Sequence, residues 1–494
     1  MSDSEAAAAW LAGRADQVIE TSCARVFLIG GVALKTKKAV DFGFLDFSTL
    51  DKRQWALDRE LAFNQPHAPD IYRAVRRITR TADGGVEMDG AGETVDWALE
   101  MRRFDPAAVL SERPDAVDGE LAEALGRRVA QGHISARVTP EGGGVKALGY
   151  TIATNAEHLR ALAGQLDAGL IERVVTGTDA ALAAQTPLLE ERRAAGFARH
   201  CHGDMHLGNI LLEDGEPKPF DCIEFNDLLS EIDTLYDLAF LLMDLLFRGR
   251  AAAANRVLNA YLDEAARGMP AGVIGGLAAL PLMLSARASV RAHVSWHQGD
   301  AAGSAAYLAT AERHLSPAPP RLIAIGGVSG TGKTTIARLV APGVGAAPGA
   351  VVLRSDEVRK RLFGVGPTDP LPSQAYAQEA MQRAYDAMHA EAAALLRAGR
   401  AVVLDATYLD AANRDAAAAL AGAVGVPFDG VWLTAPAAVL EARVGGRSGD
   451  ASDAGLATLR QQLARDLGVI DWTTVEAIDP ATAAGRISAM AGGD

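Results

Sequence analysis

The sequence has 494 residues, an apolar fraction of 49% and a formal net charge of −14. The length predicts two or three domains, and the acidic balance argues against a general nucleic-acid or membrane-surface binder. Three widely spaced cysteines, an N-terminus without a leader pattern and the shortness of the apolar runs predict a cytoplasmic protein without a membrane span.

The chain opens with the short β-rich runs of a small lobe. The runs RVFLI and VALKTK flank the glycine pair at 30–31, which is a β-hairpin signal. On the second run Lys35 and Lys37 share a face, because strand side chains alternate. A helical segment over about 48–63 follows and carries Glu60. Protein kinases hold ATP phosphates with a strand lysine that a helix carboxylate orients, so either lysine is a candidate for this role.

The stretch His200–Asn226 carries a second group of polar residues. Asp204 is followed five residues later by Asn209, and a short hairpin should bring Asn209 close to Asp221. Phosphoryl transfer needs a carboxylate near the acceptor hydroxyl and oxygen ligands for Mg²⁺. We therefore expect Asn209 and Asp221 to face a metal ion and Asp204 to accept the proton of the hydroxyl.

The letters HGDMHLGN at 202–209, followed by Phe220 and Asp221, resemble the aminoglycoside phosphotransferase family and its small-molecule-kinase relatives. These proteins share the protein-kinase fold, and the resemblance covers about residues 20–300. Unlike protein kinases, the sequence has no G-x-G-x-x-G loop over the phosphates. The resemblance implies that Asp204 is the catalytic base, Asn209 and Asp221 are metal ligands, Lys35 is the phosphate lysine with Lys37 as its rival, and Glu60 is the partner of that lysine.

Apolar residues at three- and four-residue spacing predict a mostly helical lobe after the small lobe. Its most apolar stretch, Ile232–Phe247, is predicted as one helix, and Asp237 on it resembles a family position that braces the catalytic loop. His202 and His206 lie four apart, but no third ligand stands nearby in the sequence. Structural or substrate roles are therefore preferred to a metal site for these histidines.

A Pro-rich linker at 316–320 separates this lobe from the run RLIAIGGVSGTGKTTIA. Within that run, 327–334 fits the pattern G-x-x-x-x-G-K-[ST] between a β-rich and a helical stretch. The glycines let backbone N–H groups surround phosphate oxygens, Lys333 should reach the β- and γ-phosphates, and Thr334 should hold Mg²⁺. The predicted nucleotide-binding residues are Gly327, Ser329, Gly330, Thr331, Gly332, Lys333, Thr334 and Thr335.

Further β-rich runs alternate with helical stretches beyond this motif, which predicts a parallel α/β sheet. Active groups should lie at the carboxyl ends of its strands. Asp356 and Arg359 follow the second run, and Asp405 and Thr407 follow the third. Arg443 and Arg447 come four apart after the fourth run, on one face of a helix.

Residues 321–494 resemble the P-loop kinase group that contains gluconate kinase, polynucleotide kinase and zeta-type toxins. In that group an Asp-x-x-Arg motif supplies the hydroxyl-activating acid and a phosphate-binding arginine. The resemblance implies that Asp356 is the general base, Arg359 and Thr407 bind substrate, Asp405 is associated with the metal, and Arg443 and Arg447 are lid arginines. Arg414 and Asp453 are further lid or substrate candidates.

The predicted fold class is mixed α/β and α+β. The domains are a bilobal protein-kinase-like domain at 1–315, with a small lobe at about 20–104 and a helical lobe at about 105–315, the linker at 316–320, and a P-loop NTPase domain at 321–494. The P-loop domain should hold a parallel sheet flanked by helices. The whole chain resembles bacterial fusions of these two kinds of kinase domain.

We therefore expect an ATP- and Mg²⁺-dependent phosphotransferase with two nucleotide sites, acting on a hydroxyl group of a small molecule. One alternative is a regulatory ATP-binding protein in which one or both sites do not turn over. Another is a nucleic-acid end kinase or toxin-like enzyme that uses the C-terminal half, although nucleic acid is disfavoured by the acidic charge. A two-step enzyme, a homo-oligomer and GTP in place of ATP stay open, and the acceptor is not identified.

Overall fold

The computed structural model describes residues 2–43, 45–446 and 455–491. The chain divides into two compact units. The first unit consists of Met1–Val117, Ser135–Ala153 and Glu190–Asp244, and the second consists of Asp118–Ile134, Thr154–Leu189 and Leu245–Asp494. Within the part of the chain that the structure describes, none of the helices is long and apolar enough to cross a membrane.

The regular elements are numbered here in chain order. The strands are β1 (Gln17–Glu20), β2 (Ala24–Ile29), β3 (Val32–Lys37), β4 (Tyr72–Arg80), β5 (Val86–Met88), β6 (Thr94–Arg102), β7 (Ala198–His200), β8 (Ile210–Glu213), β9 (Glu216–Pro219), β10 (Glu231–Asp233), β11 (Leu322–Gly326), β12 (Val351–Arg354), β13 (Val402–Asp405), β14 (Phe428–Thr434) and β15 (Thr473–Glu476). The helices are α1 (Asp3–Ala12), α2 (Leu50–Asn64), α3 (Gly119–Ser135), α4 (Gly144–Ala161), α5 (Ala168–Ala194), α6 (Asp227–Ser230), α7 (Thr234–Phe247), α8 (Ala251–Gly268), α9 (Leu280–His297), α10 (Ala301–His314), α11 (Lys333–Val340), α12 (Ser355–Leu362), α13 (Gln378–Arg397), α14 (Ala411–Val424), α15 (Ala437–Gly445), α16 (Leu456–Leu463) and α17 (Pro480–Ala491).

The first unit is built around an antiparallel sheet in the order β1-β2-β3-β6-β4-β5, against which α2 packs. The predicted hairpin forms, with β2 and β3 antiparallel and Val26 opposite Lys35. Helix α2 begins after Thr49, whose hydroxyl accepts a hydrogen bond from the Lys52 N–H. Its inner face buries Leu57 and Glu60, so the apolar contact with the sheet carries a carboxylate inward with it.

The second half of the first unit differs from its prediction at one point. The run Ile232–Phe247 is not a single helix, because Ile232 and Asp233 belong to β10, which pairs antiparallel with β7. The carboxylate of Asp233 is fixed by the buried Arg192 guanidinium at 2.7 and 2.9 Å. Helix α7 therefore begins only at Thr234. Its apolar composition concealed this change, because a short buried strand and a buried helix turn look alike in sequence.

The second unit contains a sheet in the order β12-β13-β11-β14-β15, and every neighbouring pair in it is parallel. This confirms the predicted parallel α/β arrangement. Helices α11 and α17 pack against it, and its core is a cluster of Ile, Val, Leu and Ala side chains. The carboxyl ends of β11, β12 and β13 lead directly into the P-loop, into α12 and into the segment after Asp405. Three chemically important segments thus meet at one edge of the sheet.

Strand β12 is an edge strand of this sheet, and side chains of α8 satisfy its outer backbone groups. The Asn259 side-chain oxygen accepts a hydrogen bond from the Val352 N–H at 2.7 Å, and the Asn255 amide donates to the Ala350 carbonyl at 2.9 Å. An uncovered edge would leave such groups to water or to another chain. Helix α8 therefore covers the edge of the sheet at β12. It precedes the linker at 316–320, and the domain boundary predicted there stays a prediction.

Candidate active sites

The first candidate site is organised by two lysines of β3 and three carboxylates. The Lys35 ammonium lies 2.6 Å from Glu60 Oε1 and 2.8 Å from Asp221 Oδ1. The Lys37 ammonium lies 2.7 Å from Glu60 Oε2 and 2.6 Å from Glu224 Oε1. Both lysines therefore share one face of β3, as the alternation of strand side chains predicted, and Glu60 bridges them.

The surroundings of the two lysines differ. The Lys35 side chain is 15% exposed and reaches Asp221, whose carboxylate is 46% exposed. The Lys37 side chain is 3% exposed and lies between the two glutamates, 5.2 Å from the centre of the Phe47 ring. A phosphate group could reach Lys35 without breaking up the buried pairs. The geometry favours Lys35 for the phosphate and gives Lys37 a supporting position.

Neighbouring opposite charges favour the ionised forms of Glu60 and Lys35, whereas burial has the larger effect on Glu224. Burial acts to raise the pKa of the Glu60 carboxyl, but Lys35 and Lys37 outweigh it and lower that pKa to about 2. Burial likewise acts to lower the pKa of the Lys35 ammonium, yet Asp221 and Glu60 raise it well above its ordinary value. Burial raises the pKa of the Glu224 carboxyl despite its contact with Lys37. The site thus presents a permanent, oriented positive charge at Lys35.

The loop at 202–209 places Asp204 beside Asn209. The Asn209 side-chain amide donates to Asp204 Oδ2 at 2.9 Å and to the Asp204 carbonyl at 3.0 Å. Asp237 accepts hydrogen bonds from the N–H groups of His202 and Gly203, at 3.2 and 2.8 Å. Asp237 therefore braces the loop, as its family position implied. The Asp204 side chain stays 36% exposed, which leaves it accessible to an acceptor molecule.

The hairpin of β8 and β9 brings the predicted metal ligands together. The Phe220 N–H donates to the Asn209 carbonyl at 3.0 Å, which fixes Asp221 next to Asn209 at the end of the hairpin. Asp221 has φ = 62°, a conformation uncommon for a residue other than glycine. Its N–H donates to the Tyr72 hydroxyl at 3.0 Å, which holds this backbone in place. The structure therefore collects the predicted residues of this site in one place.

Some residues that shape this site were missed in the sequence. Tyr72 holds the Asp221 backbone, and Asn64 accepts the Cys222 N–H at 2.9 Å. Glu224, three residues after Asp221, could have been noticed as an additional carboxylate, but its lysine partner lies 187 positions away in the chain. His202 is buried, with its Nε2 atom 2.8 Å from the Phe220 carbonyl. This contact supports a structural role for His202 over a metal site.

The second candidate site is the P-loop at the end of β11. Gly327, Gly330 and Gly332 have φ values of 145°, 86° and 86°. A Cβ atom would come within 2.8 Å of the Leu433 carbonyl at Gly327 and within 2.9 Å of the Leu440 carbonyl at Gly330. Glycine is therefore required at Gly327 and Gly330, because it adopts positive φ without strain and has no Cβ atom to meet these carbonyls. The loop can therefore curl its N–H groups inward at the start of α11, where the helix dipole also favours an anion.

The Lys333 and Thr334 side chains are held by neighbouring groups of the protein. The Lys333 ammonium donates to the Val328 carbonyl at 3.1 Å, which holds it over the loop. The Thr334 hydroxyl donates to Asp405 Oδ2 at 2.6 Å. Arg354, at the end of β12, has its Nε atom 3.6 Å from the same Asp405 oxygen. A hydroxyl and a carboxylate at this edge are oxygen donors that suit Mg²⁺.

One cavity of about 430 Å³ is lined both by the loop and by Asp356 and Arg359. Asp356 lies at its wall and accepts a hydrogen bond from Arg359 at 2.8 Å, while the Tyr376 ring lies 5.2 Å from the Arg359 guanidinium. The predicted residues that line this cavity are Ser329, Gly330, Gly332, Lys333, Thr334, Thr335, Asp356, Arg359, Asp405, Thr407 and Arg443. Thr331 is instead buried beneath the loop, where its hydroxyl donates to the Val328 carbonyl at 2.8 Å.

The predicted lid arginines differ in what the structure reveals of them. Arg443 donates to the carbonyls of Gly330, Ala477 and Ile478 at 3.3, 2.9 and 2.6 Å, so its guanidinium is held by backbone at the cavity wall. Arg447 and the further candidate Asp453 lie outside the described residues.

Arg414, a further lid or substrate candidate, is buried. It donates to the carbonyls of Tyr408, Leu467 and Val469, at 2.9, 2.8 and 3.0 Å. The expectation that Arg414 binds substrate is therefore wrong, because backbone carbonyls occupy its donors. It joins the segment after Asp405 to the chain near 467–469.

Comparison with known proteins agrees with this geometry. The model of the phosphotransferase enzyme family matches residues 48–272, and an AAA domain model matches residues 322–466. Uncharacterized protein Rv2004c of Mycobacterium tuberculosis is 32% identical over 481 residues, which are 94% of this chain and 92% of that protein.

Solved structures resemble the two halves separately. A thermostable mutant of aminoglycoside phosphotransferase APH(4)-Ia is 15% identical, with a TM-score of 0.39, and covers 62% of this chain and 95% of its own. A gluconokinase from Sinorhizobium meliloti 1021 is 21% identical, with a TM-score of 0.23, and covers 34% of this chain and 94% of its own. This chain therefore joins a phosphotransferase domain to a P-loop kinase domain, is a kinase, and belongs to the family of this mycobacterial protein.

Proposed function

We propose that this kinase has two separate sites, each of which transfers the γ-phosphoryl group of Mg²⁺-ATP to a hydroxyl group of a small molecule. The observation that carries this proposal is that each site has its own complete set of groups. The first site has Lys35, Asp204, Asn209 and Asp221. The second site has Lys333, Thr334, Asp405 and Asp356, which line the 430 Å³ cavity. Phosphoryl transfer requires positioning and charge stabilisation, which are what such sets provide.

In the first site Lys35, oriented by Glu60, would bind ATP phosphates, and Asn209 and Asp221 would hold Mg²⁺. The bound metal ion would supply neutralisation of charge on the transferred group. Asp204 is exposed beside Asn209 and is the base for the acceptor hydroxyl. The hydrogen bonds from Asn209 and the brace from Asp237 keep its carboxylate at a fixed place in the loop.

In the second site the P-loop N–H groups and Lys333 would bind the phosphates, and Thr334 with Asp405 would hold Mg²⁺. Asp356, which lines the same cavity, is the base for the acceptor hydroxyl, and Arg359 keeps its carboxylate oriented.

The experiment is a screen of hydroxyl compounds for ADP release by the full chain, repeated with each site disabled. Asp204→Asn should abolish one set of acceptors by at least about 10²-fold, and Lys333→Ala should abolish the other. The matched controls are Asp58→Asn and Lys146→Ala, which change exposed residues with the same chemistry.

If neither site variant alters ADP release by the full chain, the proposal fails. If nucleotide binds at both sites without any transfer, the protein is a regulatory nucleotide-binding protein. Transfer to RNA or DNA 5′-hydroxyl ends, lost in Lys333→Ala, would instead favour a nucleic-acid end kinase.

A further inference from the structure

One N–H group of the P-loop already has a side-chain partner. The Ser329 N–H donates to Oε1 of Gln462 at 2.7 Å, although the two residues are 133 positions apart. P-loop N–H groups ordinarily face phosphate oxygens. The Gln462 oxygen is therefore a fixed partner of this N–H group, and the Gln462 side chain lies against the P-loop.

Apolar packing explains how Gln462 reaches this place. It lies on α16, three residues after Leu459, so the two side chains share a face of the helix. Leu459 is fully buried in a cluster with Val328, Leu440 and Val444. Because Val328 directly precedes Ser329, the packing of Leu459 against Val328 also brings the Gln462 amide to the loop.

Two side chains near the P-loop, those of Arg443 and Gln462, differ in whether their donors are already used. Arg443, which was expected to clamp the phosphoryl group, donates instead to three backbone carbonyls, those of Gly330, Ala477 and Ile478. Gln462 lines the same cavity as Lys333 and Asp356. A carboxamide that accepts through its oxygen keeps an NH₂ group with two hydrogen atoms to donate.

We infer that Gln462 is a specificity-determining residue of the second site, which rests on the proposed function of that site. Its oxygen keeps the Ser329 N–H, and its NH₂ group donates to an oxygen of the γ-phosphoryl group of bound ATP. Because ADP has no γ-phosphoryl group, this contact discriminates the triphosphate from the diphosphate. It also places the transferring group between Lys333 and the acceptor side of the cavity.

The test measures equilibrium binding of Mg²⁺-ADP and of the non-hydrolysable analogue Mg²⁺-AMPPNP to the full chain. The binding that Lys333→Ala removes belongs to the second site. Gln462→Glu replaces the donor with a negative charge, so the affinity for AMPPNP should fall at least about tenfold relative to that for ADP. Gln462→Met, which removes the polar group at similar length, should lower the same ratio about threefold or more.

Gln461→Glu is the matched control, because it makes the same charge change on the exposed neighbouring residue. It should leave the ratio of the two affinities within about twofold of the unchanged protein. If both Gln462 variants keep that ratio, or weaken both nucleotides equally, the inference is wrong while the nucleotide site itself stands. If Lys333→Ala removes no nucleotide binding, the proposed function of the second site fails as well.

Discussion

Glu60 offers the strongest test of the first site, because a single side chain holds both lysines of β3. Its carboxylate is fully buried, with Oε1 2.6 Å from the Lys35 ammonium and Oε2 2.7 Å from the Lys37 ammonium. Glu60→Gln keeps the size of the side chain but replaces one of the two oxygens that accept from the lysines with an NH₂ donor. It removes the charge, so two buried ammonium groups would share only Asp221 and Glu224.

The magnitude follows from the pKa of the carboxyl group. That pKa is lowered from 4.5 to about 2, because the lysines outweigh the effect of burial. A difference of this size corresponds to about 3 kcal/mol in favour of the charged form. Loss of one partner of a buried ion pair typically costs about 3–5 kcal/mol. We therefore expect Glu60→Gln to lower the local free energy of unfolding by about 3 kcal/mol or more.

Hydrogen exchange measured by mass spectrometry gives this free energy separately for peptides of β3 and α2. The same samples, assayed for Asp204-dependent transfer, should lose about 10²-fold in rate, because Lys35 is no longer oriented. Asp58→Asn, on the exposed face of the same helix, is the control and should change neither quantity. A loss below about 1 kcal/mol in Glu60→Gln, together with unchanged transfer, would refute this reasoning about the network.

Three further changes test other parts of the structure. Thr334→Val removes the hydroxyl that donates to Asp405. The ratio of the nucleotide affinity at the P-loop with Mg²⁺ to that with EDTA should therefore fall at least about tenfold. An unchanged ratio would contradict the assignment of Thr334 as a metal ligand. Asn259→Leu leaves the Val352 N–H without its acceptor and should lower the hydrogen-exchange stability of β12 by about 1–3 kcal/mol, whereas equal protection would show that α8 does not support this edge. Burial, helped by Arg313, lowers the pKa of His314 to about 4. Between pH 6.5 and 4 the unfolded chain therefore binds one more proton than the folded chain at this residue, so the free energy of unfolding decreases by roughly 1.4 kcal/mol for each unit by which the pH is lowered. His314→Gln should flatten this slope in urea unfolding at pH 7, 6 and 5, and an identical slope would contradict the assignment.

Sequence patterns predicted features that depend on near neighbours in the chain. The glycines and lysine of 327–334 lie in eight consecutive positions, and the structure confirms the turn and the helix after it. The spacing of Asp204 and Asn209 likewise encoded a contact within one loop. The alternation along β3 placed two lysines on one face, which the shared carboxylate of Glu60 confirms.

Contacts between distant segments were not predictable in this way. Nothing near Lys37 indicates Glu224, and nothing near Ser329 indicates Gln462, because sheet and helix packing bring these pairs together. The substrate role predicted for Arg414 was wrong for the same reason, because its partners near 467–469 are backbone carbonyls, which have no sequence signature. The cytoplasmic location and the domain boundaries stay predictions, and the oligomeric state stays open.

Nucleotide stoichiometry tests the central claim most directly. Equilibrium dialysis of the full chain with saturating Mg²⁺-AMPPNP should give two nucleotides per chain. Lys333→Ala should leave one of them, and Lys35→Ala should leave the other. A single nucleotide per chain, insensitive to one of these two substitutions, would contradict the existence of two separate phosphate-binding sites.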